Sequence, residues 1–485
     1  MNQLFAVTNV LGMVVMMFGL TMLPPLALSF WVDDSALFAY CQSMVITLFC
    51  GLVMTLATRW NRRELQVRDG FLLVVLVWSV LPIFATLPFM LFMPHLSFTD
   101  AYFEAASGIT TTGATILSGL DSLPPSINLW RCELQWLGGM GLIVLAVAIL
   151  PLLGVGGRQM FKAETPGPMK DTKLTPRIAE TAKALWLIYA GLTLSCIIAY
   201  RLAGMNWMDA VMHAFTTLSL GGVSSHDASF GYWDSALIEC VAIFFMLIAG
   251  LNFASHFLVW RAKSFLPYRH DPEAGMFIMV TAVSCIGLTF YLWFMEVYPD
   301  PLTALRYASF NTVSVATSTG YSSTDYYLWP IFAPLWMIFL SSFCSSSGST
   351  GGGIKMIRAQ ILFKQVFREM IVIMHPQVVS PVKIGGSVVP NRIVFAVLAF
   401  LSIYIASIAS MTLILTLSGL DLVTALSAVV ACINNLGPGF SQVGPSTTFA
   451  VLTDFQIWVC SFAMLLGRLE LFTLLIVFTP AFWRK

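Results

Sequence analysis

Charge is scarce in this chain: Asp, Glu, Lys and Arg together make up 10% of 485 residues, against roughly 25% in soluble domains. A chain so poor in charge cannot expose most of its length to water. Paired cysteines are missing too. The nine (41, 50, 132, 196, 240, 285, 344, 432 and 460) contain no C-x-x-C and fall mostly in or beside apolar stretches. That pattern excludes a zinc site or disulfide framework and reads as small apolar packing residues. The six histidines are scattered, with no H-E-x-x-H and no nucleophile–base pairing, so nothing points to an enzyme. A Gly-rich dinucleotide fingerprint is absent, and basic residues gather on no single segment, which argues against nucleic-acid binding.

What fills the chain is apolar: hydrophobic residues are 58% of it and mean hydropathy is +0.83. Stretches long enough to cross a hydrocarbon core of about 30 Å as helices lie near 4–30, 36–58, 71–94, 129–157, 184–204, 236–260, 276–298, 329–367 with a break, 393–417 and 455–483. The first is read as a span rather than a cleaved signal, because its apolar run is long and no basic segment precedes it. Basic residues alternate with these spans. Four follow the second, six lie in 158–183, three in 261–269, six follow the eighth and two end the chain, so 21 of the 25 share one side. The opposite connections carry Asp33, Asp100, Asp121, Asp209, Asp227, Asp300, Asp421 and other acids. The positive-inside bias predicts cytoplasmic termini and an acidic outer mouth that concentrates cations.

A glycine-centred segment occurs four times between these spans. Asp100-Ala-Tyr-Phe-Glu-Ala leads to Thr111-Thr112-Gly113-Ala114, and Asp209-Ala-Val-Met-His-Ala leads to Leu220-Gly221-Gly222-Val223. Tyr307-Ala308 leads to Ser318-Thr319-Gly320-Tyr321, and Thr424-Ala425 to Asn435-Leu436-Gly437-Pro438. Each alanine lies twelve residues before its aligned glycine. The intervening residues suit a helix too short to span, which must re-enter and turn back where its backbone lines water or protein. Its carbonyl end, aimed at mid-membrane, favours a cation, and the glycine supplies the backbone freedom to turn carbonyls toward one axis. His213 occupies the place of Glu104 in the first copy and reads as a packing residue of such a helix rather than a metal ligand.

Two leading spans followed by four helix–pore-loop–helix units resemble the Trk/Ktr/HKT superfamily of potassium transporters, most nearly its bacterial TrkH branch. The resemblance covers essentially the whole chain. It is most specific at Thr-Thr-Gly-Ala-Thr (111–115), the Ser/Gly-rich break at 345–353 and Gly467-Arg468-Leu469-Glu470. It implies an all-α polytopic membrane protein: two N-terminal transmembrane helices (1–67) and pseudo-fourfold units around one ion pore. Those units are expected at 68–157, 158–272 with a cytoplasmic loop, 273–389 with a gate loop, and 390–485. It further implies a single-file K⁺ filter with coordinating carbonyls at Thr111, Thr112, Leu220, Gly221, Ser318, Thr319, Asn435 and Leu436, just before Gly113, Gly222, Gly320 and Gly437. Only Thr319-Gly320-Tyr321 is similar to the TVGYG signature of tetrameric K⁺ channels, which implies fewer ordered sites and looser selectivity. In plant relatives a serine at the first glycine position goes with Na⁺ preference, so Gly113 implies K⁺.

Ser345-Ser346-Ser347-Gly348-Ser349-Thr350-Gly351-Gly352-Gly353 interrupts an apolar segment, and four glycines in nine residues cannot sustain a helix. A phosphate loop is excluded because Lys355 follows Ile354 and no Ser or Thr follows Lys355. The break is either a plain kink or, as the resemblance implies, a flexible gate below the filter. Arg468 lies deep in the last span, where an unpaired charge costs at least ~2.5–3.5 kcal/mol. Glu470 faces elsewhere on the helix, so the loop's carbonyls are the expected partners and Arg468 is expected to pin the loop; an ion pair with an acid on another helix is the alternative. Arg131 and Glu133 are read as snorkelling at the outer surface. The basic loops at 158–183 and 353–392 suit lipid headgroups. The resemblance adds a homodimer in the bacterial inner membrane and a cytoplasmic TrkA-type nucleotide-binding subunit. A K⁺/H⁺ or K⁺/Na⁺ symporter stays open as the alternative, with Glu470 as its proton-coupling candidate. It is disfavoured because the helix break is seen only once and not in two inverted halves.

Overall fold

The computed structural model describes residues 2–61, 65–141 and 178–484; the basic residues expected at 158–177 lie outside the described residues. The described residues are mostly helical. Among the described residues six helices are long and apolar enough to cross a membrane. They are Leu4–Val32 with a turn inside it, Leu37–Ala57, Arg68–Phe92, Ala182–Ala203, Ala274–Phe294 and Asn391–Leu417. The first two cross closely because Gly12 and Gly51 face one another, and a methyl on either would press on the other's carbonyl. Small residues are what let helix backbones meet in lipid. A two-stranded hairpin, Lys383–Ile384 against Ser387–Val388, is an addition the sequence did not announce. Its turn is Gly385-Gly386, both at positive φ, as the tightest hairpins require.

Between the spans sit four short helices, Phe98–Ile109, Trp207–Leu218, Pro301–Ala316 and Leu422–Ile433. Three have 12 residues and the third has 16; at 1.5 Å per residue the shorter ones reach about 18 Å, which cannot cross the bilayer. Each starts on a polar cap. Ser97, Asn206, Asp300 and Asp421 accept the backbone N–H three residues on, at 3.1, 2.8, 2.8 and 3.0 Å. Such a cap is worth about 1 kcal/mol and fixes where a helix begins. Each helix ends four residues before its aligned glycine.

Among the described residues the helix following the pore loop is broken in repeats 2, 3 and 4, which corrects the expectation of a single break. Ala236–Ala249 turns by 92° into Phe253–Ala262, and Asp454–Arg468 by 108° into Phe472–Phe478. Phe332–Ser341 is separated from Met356–Met374 by the Ser/Gly loop, and Pro125–Trp136 passes into a π-helical turn at Leu137–Gly141. The breaks therefore recur in three of the four repeats.

Candidate functional site

All four pore helices end alike. The last-turn caps pair Thr111, Leu220, Ser318 and Asn435 N–H with carbonyls three residues back. The next residues, Thr112, Gly221, Thr319 and Leu436, donate to carbonyls five back at 2.8–2.9 Å. This double bond pattern is a Schellman motif, whose turning residue takes the left-handed conformation usually reserved for glycine. Here that residue is Thr111, Leu220, Ser318 or Asn435, at φ 55°, 53°, 58° and 51°. Left-handed backbone costs a non-glycine residue roughly 1–2 kcal/mol, so four such residues at equivalent positions mark a geometry held by its surroundings. Two residues on, Gly113, Gly222, Gly320 and Gly437 are again at positive φ: 83°, 71°, 89° and 99°.

These glycines close a ring. A methyl on Gly113 would fall on the carbonyl oxygen of Gly221, one on Gly222 on that of Thr319, and one on Gly320 on that of Leu436. At Gly437 it would approach the Thr112 oxygen at 2.8 Å. Each loop thus lays its glycine against the next loop's carbonyl, and the fourth returns to the first. The ring is further tied where Asn435 Nδ2 donates to Thr112 Oγ1 at 2.9 Å. In loops 1 and 3 the threonine hydroxyls pair behind the turn, Thr110 with Thr112 and Thr317 with Thr319, both at 2.7 Å. Tyr321, fully buried, reaches from loop 3 to the Thr216 and Thr217 hydroxyls of the second pore helix.

The Ser/Gly loop lies against the lower ends of these helices. Thr350 Oγ1 donates to the Leu218 carbonyl at 3.0 Å, and Gly352 N–H to Ser318 Oγ at 3.2 Å. A methyl on Gly351 would meet the Thr317 carbonyl, and one on Gly352 the Asn434 carbonyl. The loop therefore touches repeats 2, 3 and 4, and Arg468 supplies the link to repeat 1. Its guanidinium donates to the Thr350 carbonyl at 3.0 Å, Thr111 Oγ1 at 3.1 Å and the carbonyls of Gly138 and Gly139 in the π-turn. Arg468 also lies 5.3 Å from the centre of the Trp78 ring. Within the loop, Ser345 Oγ donates to the Gly352 carbonyl and Ser349 Oγ to that of Ser346, while Ser346 N–H reaches the Gly250 carbonyl of repeat 2. Gly348 O accepts from Phe253 N–H at 3.1 Å, and Gly353 is at φ 81°.

Sequence reasoning missed two groups that hold this loop. Glu273 Oε2 accepts both Ser347 N–H (2.8 Å) and Ile357 N–H (3.1 Å), so one carboxylate spans the loop. Lys355, 4% exposed, donates to the Gly351 carbonyl. Glu470 pairs with Arg358 at 2.6 Å.

Arg131 does not snorkel, correcting the surface reading. It is 2% exposed and Glu133 is 5% exposed. Arg131 Nε sits 2.7 Å from Glu104 of the first pore helix, and its other nitrogens reach Thr115 Oγ1 and the Ser224 carbonyl. Glu104 in turn accepts from Ile116 N–H at 3.1 Å, so the pair binds loop 1 to loop 2 behind the turn. His213, also fully buried, contacts Ser224 Oγ and the Asp209 carbonyl, both at 2.9 Å. Removing one partner of a buried ion pair costs about 3–5 kcal/mol. Arg131→Ala should therefore lower the apparent melting temperature of the detergent-purified protein clearly, and an unchanged melting curve would show the pair to be dispensable.

On the loop side, His226 bridges Asp121 and Asp209 and stacks on Tyr232 with ring centres 3.6 Å apart. Burial lowers its pKa, but the hydrogen bonds to the two carboxylates outweigh it and hold the imidazole above its ordinary value. Asp121 is held below the usual carboxylate range, chiefly by its hydrogen bond to His226.

Comparison with known proteins places this geometry. Residues 37–485 match the family model described as "TrkH: Cation transport protein". The chain is similar to the Trk system potassium uptake protein TrkH of Halomonas elongata, 48% identical over 99% of both chains. It is also similar to that of Escherichia coli K12, 45% identical over 99% of both. Among solved structures, the potassium transporter TrkH from Vibrio parahaemolyticus superposes with a TM-score of 0.90 at 42% identity, covering 99% of this chain and 100% of that one.

Proposed function

Because the chain belongs to the TrkH family of cation transport proteins, and so is a transporter rather than an enzyme, we propose that it takes up K⁺ across the bacterial inner membrane. The four glycine loops form its single-file filter. The observation that carries this reading is the cyclic contact of each glycine with the next loop's carbonyl, because a closed ring of backbone oxygens can replace an ion's hydration shell. The carbonyls of Thr111, Thr112, Leu220, Gly221, Ser318, Thr319, Asn435 and Leu436 are the proposed ligands. K⁺ is cargo, and no organic cofactor is invoked.

The Ser345–Gly353 loop is the gate and Arg468 its latch. The contacts of loop and arginine with all four repeats support this reading. Both termini face the cytoplasm, the chain works as a homodimer, and a TrkA-type nucleotide-binding subunit below the membrane moves the gate. The two leading helices (1–67) and the units 68–157, 158–272, 273–389 and 390–485 are the working divisions. Glu470, engaged with Arg358, is a poor free proton carrier, which weakens the symport alternative.

Flux into liposomes containing the purified protein alone tests the reading. Downhill flux of K⁺ and Rb⁺ should exceed that of Na⁺ and Li⁺. K⁺ movement strictly dependent on a proton or sodium gradient would replace the pore with a symporter.

A further inference from the structure

Loop 2 is built differently from its three counterparts. Directly before the aligned glycine the other loops carry Thr112, Thr319 or Leu436, whereas loop 2 carries Gly221. A double glycine at 221–222 has the greatest conformational freedom of the four turns. It also lacks the hydroxyl that pairs behind the turn in loops 1 and 3. The space left by the missing side chain is filled from another repeat. Gln135, fully buried in the helix Pro125–Trp136, occupies the position where a Gly221 methyl would project. Its Nε2 donates to the Gly221 carbonyl at 2.6 Å, and its Oε1 accepts Val223 N–H at 3.1 Å. One planar amide therefore grips both sides of Gly222. The oxygen it holds is the same one against which Gly113 closes the ring.

We infer that Gln135 is a positioning residue for ion selectivity, which sets the Gly221 carbonyl in the ring by clamping loop 2 through its side-chain amide. The inference rests on the filter reading of the four loops. The physical reason is that a carbonyl dipole selects between ions of different radius only if it is held at a defined distance. A glycine pair cannot hold itself. Gln135 touches no ion: its nitrogen is spent on the carbonyl, and it acts through the backbone it restrains.

The test is the K⁺/Na⁺ flux ratio in proteoliposomes for wild type, Gln135→Met, Gln135→Glu and the filter control Gly320→Ser. Methionine keeps the length and removes both amide groups. Glutamate keeps an acceptor for Val223 N–H and, when ionised, loses the donor to Gly221, so, measured at high pH, it serves should the methionine variant fail to fold. Loss of the hydrogen bond to the Gly221 carbonyl should lower the ratio by up to about tenfold. A ratio that falls for both Gln135 variants supports the inference. A ratio that falls for Gly320→Ser but stays at wild type in a folded Gln135 variant overturns it and leaves the filter standing. A ratio unmoved by all three substitutions removes the filter reading, and this inference with it.

Discussion

Serine in place of Gly113 is expected to reduce the preference for K⁺ over Na⁺ by about a hundredfold, the equivalent of roughly 2.7 kcal/mol in relative ion stabilisation. Two costs combine at this position. Gly113 sits at φ 83°, where an L-residue is strained by about 1–2 kcal/mol. In addition, its Cβ would strike the Gly221 carbonyl, which cannot retreat freely because Gln135 holds it. The collision is with backbone, so no rotamer change relieves it, and the displaced oxygen is one of the proposed ligands. The measurement is competitive ⁸⁶Rb⁺ uptake against Na⁺ and K⁺ in proteoliposomes. A folded Gly113→Ser protein with wild-type selectivity would mean that the loops do not select.

The register of alanine and glycine was enough to place all four pore helices, because the motif carries its own cause: a cap, a short helix and a residue free to turn. The Ser/Gly break at 345–353 was legible for the same reason. The breaks in the other repeats were less legible, since they are made partly by ordinary residues under tertiary control. Glu470 and Leu471 turn the last repeat at φ 52° and 49°, and neither type predicts such a backbone. Gly138-Gly139, Gly250 and Gly467 lay inside apolar spans and could have signalled breaks there; Gly467 in fact sits where a methyl would fall on the Ile433 carbonyl. The Arg131–Glu104 pair and the Gln135 and Glu273 clamps join residues 27 to 88 positions apart. Such pairings depend on how repeats pack, and hydropathy carries no trace of them.

Arg468→Ala should raise basal K⁺ flux, measured without any cytoplasmic subunit, by about thirtyfold or more. A charge-assisted hydrogen bond contributes about 1.5–3 kcal/mol. Arg468 gives one to the Thr350 carbonyl and others to Thr111 and the Gly138–Gly139 turn, so its loss unfastens the loop from the first repeat. On the gate reading, removing the positive charge beside the loop acts in the same direction. Arg468→Lys separates the two effects, because an ammonium keeps the charge but cannot reproduce the planar fork. High flux in the lysine variant assigns control to the latch, and wild-type flux assigns it to the charge. Unchanged flux in a folded alanine variant would end the gate reading.

The contact between Gly437 and Thr112, like the hydrogen bond from Asn435 to Thr112, spans more than 320 residues of sequence. The hoop is therefore sealed between the first repeat to be synthesised and the last. On the filter reading, three repeats leave the ring open, and it closes only when the fourth is in place. In an assembly of four identical subunits every alteration is copied into each quadrant. Here a single codon alters one quadrant and, through the cyclic contacts, its neighbour, without being copied around the ring.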